Sequence, residues 1–458
     1  RFIDDSLSLG WQAKWFKDRL ITVIGYRKDD TESYAVPEAR GYIDPAVPGG
    51  ATNPLQRYYL ASRQVPLDPR PAVASSGTSR TLGAVFHATS WLSLTYNRSQ
   101  NFSPVANASW GNYQGEPAPN SEGSTADYGV RAYLLDGRLS IAFNRFQNEA
   151  NDQARNANAF SNNAKGVLTR LRTNYKEQGD SHFRAMAEQG VYPVDSTDVS
   201  DTWSFQAKGY EMNLVFNPSA QWRLALTGSV NTNALGTHLR SLGKYLATDA
   251  PFNGLATWRT YVTELRKVAA GQRSSSFDLD PTNPSARAQA DTDATYIEQQ
   301  ANSAERTYLD ELAIEGITTH RNGKYAVNGV GSYRLANDGR LKGWSVGGNF
   351  RWRSPNTAGY ERMLVNGLPT GILDASRPLK GQEYWDVGAM LAHERRIFRN
   401  IQWRLQLNVE NLFGWRTPRP VGIDYDTEGV YGAVNAIVPV RWELRRPRNF
   451  ILTSTFGF

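Results

Sequence analysis

The chain is 458 residues long, with 12% aromatic residues, no Cys, a mean hydropathy of −0.53 and a net charge of +7 spread along its length. The missing Cys excludes a disulfide framework and thiolate metal sites, and the lack of a basic block argues against nucleic acid. No apolar run approaches the length of a spanning helix, which leaves two settings for so many aromatics in a polar chain: a carbohydrate-binding β protein, or a membrane barrel whose strands need one apolar face over about 9–11 residues.

Strict alternation of apolar and polar residues is the dominant signal. It places about 13 strands, near 5–16, 19–30, 79–89, 91–101, 124–135, 138–150, 203–216, 220–232, 322–336, 341–355, 382–395, 401–413 and 447–458. Tyr210, Met212, Leu214 and Phe216 alternate with Glu211 and Asn213. Trp222, Leu224, Leu226 and Val230 alternate with Arg223, Thr227 and Asn231. Trp344, Val346, Phe350 and Trp352 alternate with Ser345, Asn349 and Arg351. The clearest case is Ile401, Trp403, Leu405, Leu407 and Val409 against Gln402, Arg404, Gln406, Asn408 and Glu410.

Links between these strands alternate in length. Tight ones carry turn chemistry: Lys17-Asp18, Thr89-Ser90, Asp136-Gly137, Asn217-Pro218-Ser219, Asn337-Asp338-Gly339 and Phe398-Arg399-Asn400. Long ones are 31–78, 102–123, 151–202, 233–321, 356–381 and 414–446. An outer-membrane barrel puts short turns at one end and long loops at the other, whereas a soluble meander has no reason to. Within 233–321, Trp258, Tyr261, Val262, Leu265 and Val268, and then Ala301, Ala304, Tyr308 and Leu312, recur at helical spacing. Two short amphipathic helices are expected there, covering a rim or packing on each other. The odd strand count and the start at Arg1, almost directly in a strand, point to an incomplete barrel.

Several segments resemble the C-terminal half of TonB-dependent outer-membrane receptors. These are Leu134-Leu135-Asp136-Gly137-Arg138-Leu139, then Lys208-Gly209-Tyr210-Glu211 followed by Asn217-Pro218 and Trp222, then Leu407-Asn408-Val409-Glu410-Asn411-Leu412-Phe413, and the ending from Arg448 and Phe450 through Thr455-Phe456-Gly457-Phe458. Each is weak alone; their order over most of the chain is specific. The resemblance implies an all-β antiparallel transmembrane barrel of 22 strands with a plugged lumen. Residues 1–458 would be the C-terminal part of that single barrel domain, its last 13 strands, with the plug, the TonB-box and the first nine strands outside this chain. It also implies a bacterial outer-membrane location and uptake of a scarce ligand of siderophore, vitamin or glycan type. The implied partners are the TonB complex (through the plug), outer-membrane lipid and lipopolysaccharide, the barrel-assembly machinery, and the small-molecule or oligosaccharide ligand. A passive porin-like channel is the alternative.

Candidate residues follow from the faces. Asp127, Arg131, Glu211, Arg223, Arg351 and Arg404 face a lumen, where they touch ligand or plug or else pair with each other across strands. Tyr58, Tyr59, Trp110 and Tyr113 are loop aromatics that either stack on ligand or pack the loops. Phe456 and Phe458, on one face with Phe450 and Leu452, read as an assembly signal. The five His residues are scattered without metal spacing, and no catalytic motif is present, so neither cofactor nor enzyme activity is expected. Asp278, Asp280, Asp291 and Asp293 lack a spaced calcium-loop pattern. One-sided loop lengths disfavour a secreted carbohydrate-binding protein.

Overall fold

A computed structural model describes residues 2–34, 73–104, 112–113, 119–156, 163, 166–167, 169–171, 173–175, 200–247, 254–319, 323–335, 338–366, 368–398, 401–426, 430 and 432–457. Eight long strands come first: β1 (Phe2–Trp15), β2 (Leu20–Ser33), β3 (Val73–His87), β4 (Leu92–Ser103), β5 (Ser121–Leu134), β6 (Leu139–Asn156), β7 (Ser200–Phe216) and β8 (Trp222–His238). Helices α1 (Arg240–Ala247), α2 (Gly254–Ala269) and α3 (Pro284–Ala313) follow, then the two-residue β9 (Thr318–Thr319), β10 (Tyr325–Arg334) and β11 (Trp344–Arg353). The chain continues through β12 (Thr357–Val365), β13 (Leu368–Lys380), β14 (Tyr384–Phe398), β15 (Ile401–Glu410), β16 (Arg419–Asp426), β17 (Ala436–Glu443) and β18 (Asn449–Gly457).

One antiparallel sheet runs β1-β2-β3-β4-β5-β6-β7-β8-β10-β11-β14-β15-β18, with β9 added beside β8. All the strands expected from alternation are in it, in that order. The sheet is not closed, and β1 and β18 stand at its edges. Tight turns at one end are made by left-handed backbone at Phe16, Lys17 and Asp18, and at Leu135, Asp136 and Gly137. Among the described residues, no helix is long and apolar enough to cross a membrane.

Register makes each face continuous. One row crosses eleven strands as Trp15, Leu20, Phe86, Leu94, Val130, Phe143, Met212, Gly228, Val327, Trp352 and Trp385. The same face continues through Leu391, Leu407 and Leu452. It carries Trp222, Trp344, Trp403 and Phe456 near the tight turns, and Tyr96, Tyr128, Tyr210, Tyr325 and Trp385 toward the long loops. Among the described residues no second layer covers it: Leu7 is 61% exposed, Phe143 46% and Leu452 67%. A sheet with a water-soluble core would bury this face.

The buried apolar cluster lies in the loops instead. It joins Tyr113, Val167 and Leu171 to Leu242 of α1, Trp258 and Leu265 of α2, and Ile297 of α3. Three helices stand where two short ones were expected, and α3 has 30 residues. Its start is set by Asn283, whose side chain accepts the N–H groups of Ser285 and Ala286, with Pro284 in the first turn. Its buried stripe is Ala290, Ala294, Ile297, Ala301 and Ala304, small residues that leave a faint periodic signal. Leu312, expected on the packed face, is 36% exposed. Two hairpins, β12–β13 and β16–β17, also stand in links read as plain loops. Strands β3, β6 and β8 run six residues or so past their alternating part. There strict alternation stops, so the pattern that marks a strand disappears while its ladder continues.

Candidate functional site on the polar face

All six charged candidates share the face opposite the apolar one, since each sits between two apolar-face residues of its strand. They do not form one cluster. Asp127 and Arg131 lie on β5, where Asn97 donates to Asp127 at 3.3 Å. Glu211 is opposite Asn144 and Ser229, and Arg351 is opposite Asp386. Arg404 alone among the six is ion-paired within the described residues, to Glu394 across the ladder at 4.0 Å. It also donates to Gln406, which donates to Asn408, both at 2.8 Å, in a chain along β15. Cross-strand pairing therefore accounts for one of the six.

Arg223 and Arg404 do meet, in a hollow at the tight-turn end. Ser332, Arg334, Lys342, Glu394 and Arg396 line it with them. With Arg395, its charges are six cations against one carboxylate, so its field favours an anionic group. Gly343 shapes its floor: φ is +81°, and the Glu394 N–H donates to its carbonyl at 2.9 Å. A second hollow, further along the same face, holds Arg351, Asp386, Asn349 and Asn408 around Gly347 and Gly388.

At the long-loop end a basic, aromatic cluster was missed. The guanidinium groups of Arg353, Arg419 and Arg445 lie 5.9, 5.4 and 5.6 Å from the centre of the Tyr384 ring. Arg419 pairs with Glu443 at 2.5 Å and donates to the Gln382 carbonyl, and Arg445 donates to the Trp385 carbonyl. The density of Arg in 416–448 was the available signal.

Of the loop aromatics, Tyr58, Tyr59 and Trp110 fall outside the described residues. Tyr113 is 2% exposed, its ring 5.5 Å from that of Tyr245 and its N–H bonded to Ser241. Its ring packs the loops. Phe456 lies on the apolar face, 52% exposed, and Phe458 is outside the described residues. The four loop aspartates do not converge. Asp280 accepts from Thr282, Asp291 pairs with Arg266, and Asp293 is fully buried.

Asp293 fastens the loops together. It accepts from Tyr175, Asn174 and Gln289 and pairs with Arg170 at 3.3 Å. Burial and this carboxylate push the Tyr175 hydroxyl upward. Glu264 is held at about 2 by Lys267, the Ser275 N–H and the Ser274 hydroxyl. Arg362 of β12 is 4% exposed and bridges Asp310 of α3 and Asp424 of β16, at 3.2 and 3.3 Å. Burial raises the Asp310 carboxyl, against the pull of Arg362.

No protein-family model matches the chain, and no curated protein does. Solved structures do. The ferric-catecholate import receptor Fiu of E. coli, in its closed form, is 15% identical with a TM-score of 0.47, over 99% of this chain and 45% of that one. The ferric preacinetobactin receptor BauA of Acinetobacter baumannii is 11% identical with a TM-score of 0.46, over 100% and 43%. The ferripyoverdine receptor of the outer membrane of Pseudomonas aeruginosa is 13% identical with a TM-score of 0.42, over 100% and 48%. The chain thus spans less than half the length of these receptors, to which its fold is similar.

Proposed function

We propose that this chain is the C-terminal barrel wall of a TonB-dependent outer-membrane transporter that takes up a scarce, anionic ligand. The observation that carries the membrane part is the uncovered apolar face, continuous through register and bounded by aromatics at both ends. A bilayer is the solvent that such a face needs. Open strand edges are costly in lipid, so the edges of β1 and β18 are read as closed by further strands. The active-transport part rests on the family resemblance of the motifs, with support from the receptors above. Cationic hollows on the polar face, and the Arg and Tyr384 cluster at the loop end, suit an anionic ligand such as a metal chelate. Asp127, Arg131, Glu211 and Arg351 are proposed as further lumen contacts to ligand or plug, and Phe456 with Phe458 as the assembly signal.

The test uses the full-length protein in its own outer membrane. Uptake of a ferric chelate should stop when the proton gradient is collapsed or TonB is deleted, while binding at the surface persists. A passive channel would keep conducting small solutes under both treatments. That result would overturn the active reading and leave the barrel intact.

A further inference from the structure

The long-loop end is built in series. Asp310 of α3 accepts the Leu373 N–H of β13, and β13 pairs with β12. Arg362 of β12 reaches Asp424 of β16 at 3.3 Å, and a Cβ on Gly359 of β12 would strike the Ile423 carbonyl of β16. Strand β16 pairs with β17, and among the described residues β17 pairs with nothing further. The wall beneath runs in the same direction. Helix α3 lies in the link from β8 to β10, the β12–β13 hairpin joins β11 to β14, and the β16–β17 hairpin joins β15 to β18. So β17 ends the rim on the side where β18 ends the wall.

The two faces of β17 differ. Arg441 lines a hollow with Asn356 and Tyr360, beside β12, and Glu443 is held by Arg419, next to Tyr384. Val440 and Trp442 alternate with them, and Leu444 continues that row, so all three turn the other way. They are 50, 51 and 80% exposed. The polar side of the hairpin thus meets the rim and the apolar side is bare, the reverse of what water selects. The row is not part of the lipid belt: Arg446 and Arg448, both exposed, separate it from Phe450 and Leu452 of β18. Pro439 has no N–H to offer a further strand. A cover for this face therefore packs side chains on it and does not extend the ladder.

We propose that Val440, Trp442 and Leu444 form a docking surface for the long loop of the strand that closes on β18. The occupant is an apolar segment of the same polypeptide, outside residues 1–458, and its packing turns the rim into a ring. The order of the series selects it: each rim element touches the one carried by the neighbouring wall strands, and the place after β17 belongs to the strand after β18. The inference rests on the reading of the wall as a barrel closed by further strands.

The experiment uses the full-length protein, cleared of any other Cys, in intact cells. It carries Val440→Cys, Leu444→Cys or, on the exposed face of α2, Thr260→Cys, and is labelled with a membrane-impermeant maleimide. Heat-modifiable migration is scored in parallel. Val440→Cys and Leu444→Cys should label about tenfold more slowly than Thr260→Cys, since a packed thiol reacts only on local opening. p-Benzoylphenylalanine placed at Trp442 should cross-link, at monomer mass, to residues upstream of Arg1. In an assembled barrel, equally fast labelling at all three positions overturns the docking surface. So does a cross-link confined to residues 1–458, one to a second copy at twice the mass, or one to another protein, and the barrel stands in each case. If one of the two rim Cys variants fails to assemble, the other and the cross-link decide. A parent that never migrates as a heat-modifiable barrel removes the membrane reading, and the docking surface with it.

Discussion

Leu405, Gln406 and Leu407 share one strand and one context, yet alternate faces. Leu405 lies opposite His393 and Ser454, and Leu407 opposite Leu391 and Leu452. Gln406 faces the other way, hydrogen-bonded to Arg404 and Asn408. An Arg at the midplane of a barrel's lipid face costs about 2–4 kcal/mol. Leu405→Arg or Leu407→Arg should therefore sharply reduce heat-modifiable protein in the outer membrane, and Gln406→Arg should leave it near normal. Equal losses would mean that the faces are misassigned, and a reversed order would mean a register slip of one residue. Gly343 gives a second residue-level prediction. A Cβ there would meet the Glu394 carbonyl, in a left-handed backbone that costs a non-glycine residue roughly 1–2 kcal/mol. Gly343→Ala should lower the melting temperature of the assembled protein, whereas Gly10→Ala, whose Cβ meets nothing within 4 Å, should not.

At the scale of elements, the loop body and the wall obey different solvents. The helices α1, α2 and α3 bury a core in water, held to Arg170, Asn174 and Tyr175 through Asp293. Without the Asp293 carboxylate, Tyr175, Asn174 and Gln289 lose a shared acceptor, and a lost partner costs a buried polar group about 1–3 kcal/mol. Asp293→Ala should expose the loops to limited proteolysis while heat-modifiable migration is kept. The Glu264 carboxyl, held at about 2 against an ordinary 4.5, gives a pH prediction. A folded-state value below the unfolded one contributes stability present above 4.5 and lost as pH falls toward 2. Trp258, 1% exposed, should report this by fluorescence as acid loosening in that window, and Glu264→Gln should flatten the change. Asp310 shifts the opposite way but is common to both proteins, so the difference isolates Glu264. These elements also show what was legible. Trp258, Leu265 and Val268 announce α2 because large apolar residues recur at its period. The alanine stripe of α3 announces it only from Ala301 onward, so its length of 30 residues was missed. The wall strands were legible because lipid and water demand opposite residues at every step. The hairpins β12–β13 and β16–β17 were not, because register shifts break their alternation. The charged candidates fall on the one polar face, but which of them converge depends on strand order, and the Arg cluster at Tyr384 depends on a hairpin that was not foreseen.

Among the described residues the main sheet follows a path of thirteen strands with β1 and β18 at its edges. This chain by itself, refolded into a planar bilayer, should give no uniform conductance, because closing it exposes or forces unmatched edges. Steady unitary currents would mean that β1 and β18 seal against each other. At the loop end, Arg362 has a consequence for timing. It sits on β12 and is shared by Asp310 of α3 and Asp424 of β16, while Asp310 also accepts the Leu373 N–H of β13. None of these pieces can shift without breaking a contact held by another, which couples β12, β13, β16 and α3. On the proposed transport reading, a ligand crossing this rim meets one shared barrier, and its lifetime is that of the joint Arg362 and Asp310 contacts.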